Sequence, residues 1–148
     1  MQIRIKKLND DAVMPQYARA WDAGADLFST EDFKLPAHSC GLVPTGIAIE
    51  IPAGFVGLIH PRSGLATKGV TVMNAPGTID AGYRGEIKVI LVNHTDKDYD
   101  ISKGDKIAQL VIQEVREAHF IWSDELSNSE RGNGGFGSTG KNKDKPVW

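Results

Sequence analysis

Apolar residues recur at every second position through most of this chain. They fall at Ile3 and Ile5 in "IRIKKL", at Ile47, Ile49 and Ile51 in "GIAIEI", and at Val70 and Val72 in "GVTVMN". "EIKVILV" puts Ile87, Val89 and Leu91 on one face, and "KIAQLVIQEV" is a further apolar run. A period of two is that of a strand with one face buried. The runs are short, and most are bounded by turn residues, as in "IPAG", "NAPG", "DAGYRG", "NHTDKD" and "SKGD". Many short strands between regular turns predict an all-β sandwich, jelly roll or barrel. The pattern gives one β core over residues 1–123, followed by an arm over 124–148, with no internal repeat and no second domain.

Four segments interrupt the alternation. "PRSGLATKG" predicts one or two helical turns, with Ser63 as N-cap, helix-tolerant residues from Leu65 to Lys68, and Gly69 at the C′ position. Arg62 and Ser63 would then lie beside unpaired N–H groups, which suit an anion; alone, the segment reads equally as a plain connector. "NAPGTIDAGYRG" reads as a hairpin with "DAG" at its tip and Gly82 at positive φ. There Asp80 has an ordinary explanation as a turn residue bonding its own backbone, and Tyr83 as a half-buried strand aromatic. In "WDAGADLFS", Asp26 is not needed for packing and is either a turn acid or a metal-associated carboxylate. In "GDKIAQLVI", Gln109 interrupts a core strand, and its amide must find partners in protein, water or ligand.

The C-terminal "RGNGGFGSTGK" matches two phosphate-binding patterns. Gly132, Gly134 and Gly137 fit a dinucleotide fingerprint; Gly135, Gly140 and Lys141 fit most of a P-loop, with Asn142 where a hydroxyl should be. Both patterns need a strand before the glycines and a helix after them. Here polar "SDELSNSE" precedes and charged, proline-containing "KNKDKPVW" follows, so the context fails both. Composition alone favours a disordered tail. Arg131 and Phe136 argue against an idle linker, because a cation and an aromatic ring on a flexible arm could close over a flat, charged ligand.

Composition narrows the picture. The 148 residues carry 17 Lys plus Arg and 19 Asp plus Glu, a formal charge of −2, which argues against bulk electrostatic binding to nucleic acid or an acidic membrane. The single cysteine, Cys40, permits no intrachain disulfide, which fits a reducing compartment. The N-terminus lacks an apolar signal core and no run reaches membrane-spanning length, so a soluble cytoplasmic protein is expected.

Taken in order, "AGADLFS", "PRSGLATKG", "GTIDAGYRGEIKV", "GDKIAQLVI" and "RGNGGFGSTG" resemble the five ordered motifs of the trimeric dUTPases, from Ala23 to Gly140. Each is weak alone; five in order, with a glycine-rich arm last, form a specific pattern. The resemblance implies a jelly-roll or distorted β-barrel with one short helix and a flexible glycine-rich C-terminal arm. It implies a homotrimer with active sites shared between subunits, and Mg²⁺-dependent hydrolysis of dUTP to dUMP and pyrophosphate. That reaction keeps uracil out of DNA and supplies the dTMP precursor.

Residue by residue, Asp80 matches the base that orients and deprotonates the attacking water. Arg62, Ser63 and Gly64 match a phosphate cradle, and Gln109 matches a phosphate or water contact. Asn74, Thr78 and Ile79 match the uracil pocket, where a backbone edge would accept N3–H and donate to O4, as cytosine would not allow. Thymine would be refused by a tight fit around C5. Tyr83 matches the ring under the deoxyribose that leaves no room for a 2′-hydroxyl, and Lys88 matches a substrate-associated cation. Arg131, Phe136, Gly137 and Ser138 match the arm residues that cover the nucleotide. Mg²⁺ would be held mainly by the phosphates, with Asp26 touching it through water. The nearest rival, a dCTP deaminase, shares the fold but carries a catalytic glutamate in a different setting. A nucleotide-binding module without turnover would need neither Asp80 nor the arm.

Overall fold

The computed structural model describes residues 1–135. The chain divides into two compact units, Met1–Glu117 and Ala118–Trp148. The first is an all-β jelly roll with one short helix. Its strands are β1 (Arg4–Lys7), β2 (Gly24–Phe28), β3 (Phe33–Leu35), β4 (Cys40–Pro44), β5 (Ile47–Glu50), β6 (Phe55–His60), β7 (Val70–Val72), β8 (Gly77–Ile79), β9 (Lys88–Asn93), β10 (Tyr99–Ile101) and β11 (Lys106–Glu114); helix α1 (Ser63–Ala66) lies between β6 and β7. Every strand pairing is antiparallel. One sheet runs β2-β11-β6-β8 and another β4-β9-β7, with β1-β5 and β3-β10 as two-stranded pairs.

The alternation in the sequence is the alternation of the core. Ile87, Val89 and Leu91 are buried, as are Ile47, Ile49 and Ile51 and, on β7, Val70 and Val72. These side chains join Leu27, Leu35, Val43, Ile59, Ile107 and Leu110 in one cluster. Each such burial is worth about 1.5–3 kcal/mol against the exposed side chain, so the cluster is the main counterweight to chain entropy. β9 is the central strand of its sheet: Val43 of β4 lies opposite Val89, and Val72 of β7 opposite Leu91. Ala48 is buried as well, so β5 has both faces covered, a feature the period of two does not encode.

Two local expectations are corrected. The N-cap of α1 is Arg62, in extended conformation and without a side-chain cap bond, rather than Ser63. The Arg62 carbonyl accepts the Leu65 and Ala66 N–H groups, and its side chain is committed elsewhere. Gly69 does take positive φ, +79°, two residues beyond the C-cap Thr67. Nor do β8 and β9 form a hairpin. β8 pairs with β6, and β9 pairs with β4 and β7, so the chain between them crosses from one sheet to the other. Gly82 accordingly is not among the residues at positive φ, which include Gly46 in the β4–β5 turn.

The described part of the second unit holds no helix or strand. Near its end the Arg131 Nε donates to the Gly134 carbonyl at 2.9 Å, and Gly132, at φ +48°, donates its N–H to the Ser129 carbonyl at 3.1 Å. No helix among the described residues is long and apolar enough to cross a membrane.

Candidate functional site

Because β8 and β9 belong to different sheets, they part, and a cavity of about 490 Å³ opens between them. Six sequence-predicted residues line it: Asn74, Thr78, Ile79, Asp80, Tyr83 and Lys88. Its apolar surface comes from Leu42, Ile59, Ile87, Val89 and Ile90. β8 is the last strand of its sheet, so one of its backbone edges has no strand partner, whereas β9 is paired on both sides. An unpaired edge offers N–H and C=O groups to a ligand. Of these two strands, β8 offers such an edge and β9 does not.

Asp80 follows β8 and is exposed. Its carbonyl accepts the Tyr83 N–H at 3.0 Å, but its carboxylate makes no hydrogen bond or ion pair among the described residues. A turn acid that bonds its own backbone would show such a bond, so the ordinary explanation for Asp80 fails. The turn is held by other groups. Arg84 Nη1 donates to the carbonyls of Ala81 at 2.6 Å and Tyr83 at 2.8 Å, while its Nη2 lies 3.6 Å from Glu50. Tyr83 is not a strand residue, and its hydroxyl donates to the Glu86 carbonyl at 2.9 Å. The Glu86 carboxylate accepts the Gly46 N–H at 2.9 Å and lies 3.4 Å from Lys88 Nζ. Arg84 and Glu86 were not singled out by the sequence. Their only signal was a pair of opposite charges flanking Gly85.

A second group forms around Asp26. It is a β2 residue rather than a turn acid, facing Gln109 of β11 in the strand register. Arg62 Nε lies 3.1 Å from its Oδ1 and Lys106 Nζ 2.8 Å from its Oδ2. Arg62 Nη1 also donates to the Lys106 carbonyl at 3.2 Å. Burial by itself would raise the Asp26 pKa. The Lys106 hydrogen bond, the charges of Arg62 and Lys106 and a weaker bond from Gln109 outweigh it and hold the carboxyl below its ordinary value. The N–H groups of Ser63 and Gly64 donate to nothing among the described residues and are exposed.

This geometry has a measurable consequence. Asp26→Asn leaves Arg62 and Lys106 facing each other without the compensating charge. Both cations are partly exposed, so the expected cost is about 1–3 kcal/mol rather than that of a fully buried pair. A depressed folded-state pKa contributes stability that is present above the unfolded value and lost as pH falls through the folded value. Urea denaturation should therefore show a gap between wild type and Asp26→Asn at neutral pH that shrinks as pH drops below about 4. A gap that stays constant into strong acid would remove the ion pairs as its source.

Arg62 and Gly64, with Lys106, line a separate cavity of about 550 Å³, which shares no residue with the first. The predicted site residues thus fall into two groups within one chain: Asn74, Thr78, Ile79, Asp80, Tyr83 and Lys88 line the first cavity, while Arg62 and Gly64 line the second, with Ser63 between them in the chain, Asp26 paired to Arg62 and Gln109 opposite Asp26. Arg131 belongs to the second unit, and Phe136, Gly137 and Ser138 lie outside the described residues. Among the described residues no three His, Cys, Asp or Glu side chains gather as a metal site.

The dUTPase family model matches residues 10–140. The deoxyuridine 5′-triphosphate nucleotidohydrolase of Clostridium tetani is 55% identical over 140 residues, covering 94% of this chain and 97% of that protein. Its counterpart in Clostridioides difficile is 50% identical, covering 93% and 97%. Among solved structures, the dUTPase of Staphylococcus bacteriophage 80alpha with dUPNHPP superposes with a TM-score of 0.88 at 33% identity, covering 95% of this chain and 99% of that one. A variant dUTPase of S. aureus phage phi11, described for the coordination of a structural Mg(II) ion, superposes with a TM-score of 0.78 at 28% identity, covering 86% and 100%.

Proposed function

The chain belongs to the dUTPase family, and from that premise we propose that it hydrolyses dUTP to dUMP and pyrophosphate in a site that more than one copy completes. The observation that carries this reading is the cavity between β8 and β9, with six predicted residues on its wall, among them the uncommitted carboxylate of Asp80. Uracil enters between the two strands. Its N3–H and O4 meet the open edge of β8 around Thr78 and Ile79, with Asn74 beside them. The deoxyribose lies on Tyr83. Asp80 then orients a water toward the α-phosphorus and takes its proton. The water oxygen bonds to phosphorus, the bond to the bridging oxygen breaks, and pyrophosphate leaves.

Neutralising the triphosphate falls to the second group. Arg62, Ser63, Gly64 and Gln109 offer a guanidinium, backbone N–H groups and an amide. They line no shared cavity with Asp80 in one chain, so a neighbouring copy supplies them, in keeping with a trimer. The donor set fits a magnesium ion that arrives on the substrate. Both Asp26 oxygens already face cations, so Asp26 would reach the metal only through water, with the phosphates supplying most ligands. Bound Mg²⁺ neutralises phosphate charge. The arm, with Arg131 and Phe136, covers the nucleotide.

Pyrophosphate release from dUTP, dCTP, dTTP and UTP, with and without Mg²⁺, tests the reading. Turnover of dUTP alone, dependent on Mg²⁺, is expected; ammonia release from dCTP would replace it with deamination. Sugar choice has its own test. Tyr83→Ala removes the bulk at the 2′ position, and kcat/KM for UTP relative to dUTP should rise about tenfold or more. An unchanged ratio in a folded protein would put discrimination elsewhere.

A further inference from the structure

The Tyr83 ring does not stand free in the cavity wall. It lies back across the chain two residues ahead. A Cβ placed on Gly85 would sit 2.4 Å from the Tyr83 hydroxyl oxygen, 2.6 Å from Cζ and 3.0 Å from Cε2. Real Cβ atoms do not approach so closely, so any side chain at 85 excludes the ring from this position. The same posture brings the hydroxyl to the Glu86 carbonyl at 2.9 Å. Glu86 is in turn fixed by the Gly46 N–H, and Ile87 next to it donates its N–H to the Ile47 carbonyl at 2.8 Å. The ring therefore rests on backbone that is itself stitched to the β4–β5 turn.

We propose that Gly85 is a specificity-determining position: by lacking a Cβ it seats the Tyr83 ring where that ring excludes a ribonucleotide. This rests on the assignment of Tyr83 to the sugar site. Gly85 touches no substrate and acts through the ring as a positioning residue. Its own backbone does not need glycine, since its φ is not in the positive region, and the three nearest atoms in the way all belong to the outer end of one exposed side chain. Gly85→Ala should therefore fold normally and change only where the ring sits. Gly82, in the same turn, supplies the control, because a Cβ there would meet nothing within 4 Å.

The experiment compares kcat/KM for UTP and dUTP in wild type, Gly85→Ala, Gly82→Ala, Tyr83→Ala and the Tyr83→Ala/Gly85→Ala double variant, with thermal melts confirming the fold. Gly85→Ala should raise the UTP-to-dUTP ratio about tenfold, approaching Tyr83→Ala, while Gly82→Ala keeps the wild-type ratio. In the Tyr83→Ala background, Gly85→Ala should add nothing, because the ring it displaces is gone. A merely structural glycine would lower both substrates together and leave the ratio unchanged. If Tyr83→Ala relaxes the ratio and Gly85→Ala does not, the seating role is wrong and the sugar-site assignment stands. If Tyr83→Ala itself leaves the ratio unchanged, both fall.

Discussion

Asp80→Asn is expected to bind dUTP as the wild type does and to lose about 10²–10⁴ of its turnover, the usual cost of removing a general base. The substitution is well suited to the question because the carboxylate has no structural duty. It makes no hydrogen bond or ion pair among the described residues, and the turn that carries it is held by the Tyr83 N–H and by Arg84. Stability should therefore change by no more than about 0.5 kcal/mol, as for an unengaged surface residue. The amide keeps the shape of the side chain but cannot accept the proton of water at neutral pH. Single-turnover rates, with affinity for the imido analogue dUpNHpp measured in parallel, separate the two effects. A variant with near wild-type kcat would reduce Asp80 to a turn residue. A variant that loses affinity and turnover equally would make the carboxylate a binding group.

Much of this site was legible in the sequence because it is built from local order. The strands declared themselves through alternation at Ile47, Ile49 and Ile51 and at Ile87, Val89 and Leu91, since a half-buried strand leaves no other pattern. The residues between β7 and β9 stand out as a run because they are adjacent in the chain, and most of the predicted residues on the cavity wall lie in that run. What escaped was whatever depends on partners distant in sequence. The "DAG" turn looked like a hairpin tip, since short-range rules cannot know that β8 and β9 are claimed by different sheets. Ser63 looked like the N-cap, since its hydroxyl suits that role. The extended residue is instead Arg62, whose side chain is drawn to Asp26, 36 positions away. Glu86 carries no sequence signal beyond its charge, yet its carboxylate meets the Gly46 N–H across 40 positions.

The other large effect concerns the arm. Its sequence, "RGNGGFGSTGK", matches a phosphate motif yet lacks the strand and helix such motifs need, and a covering role reconciles the two. Glycines let a backbone follow a triphosphate closely and hydrogen-bond it through N–H groups. On this proposal Phe136 would stack on uracil, worth about 1–3 kcal/mol by analogy with other base–aromatic contacts, and Arg131 would add charge against the phosphates. Covering the nucleotide would also expel water and fix the in-line geometry. Deleting the chain from Arg131 onward should thus cut kcat/KM by about 10² or more, while the β core, whose last strand ends at Glu114, stays folded. Whether the arm serves its own subunit or a neighbour is decided by mixing. Chains with Asp80→Asn and an intact arm are co-refolded with chains that have an intact core and no arm. Each parent alone is nearly inactive. If the arm acts in trans, mixed assemblies regain hydrolysis, because an intact core borrows the arm of the subunit beside it. Verified mixed assemblies no more active than their parents would confine each arm to its own chain.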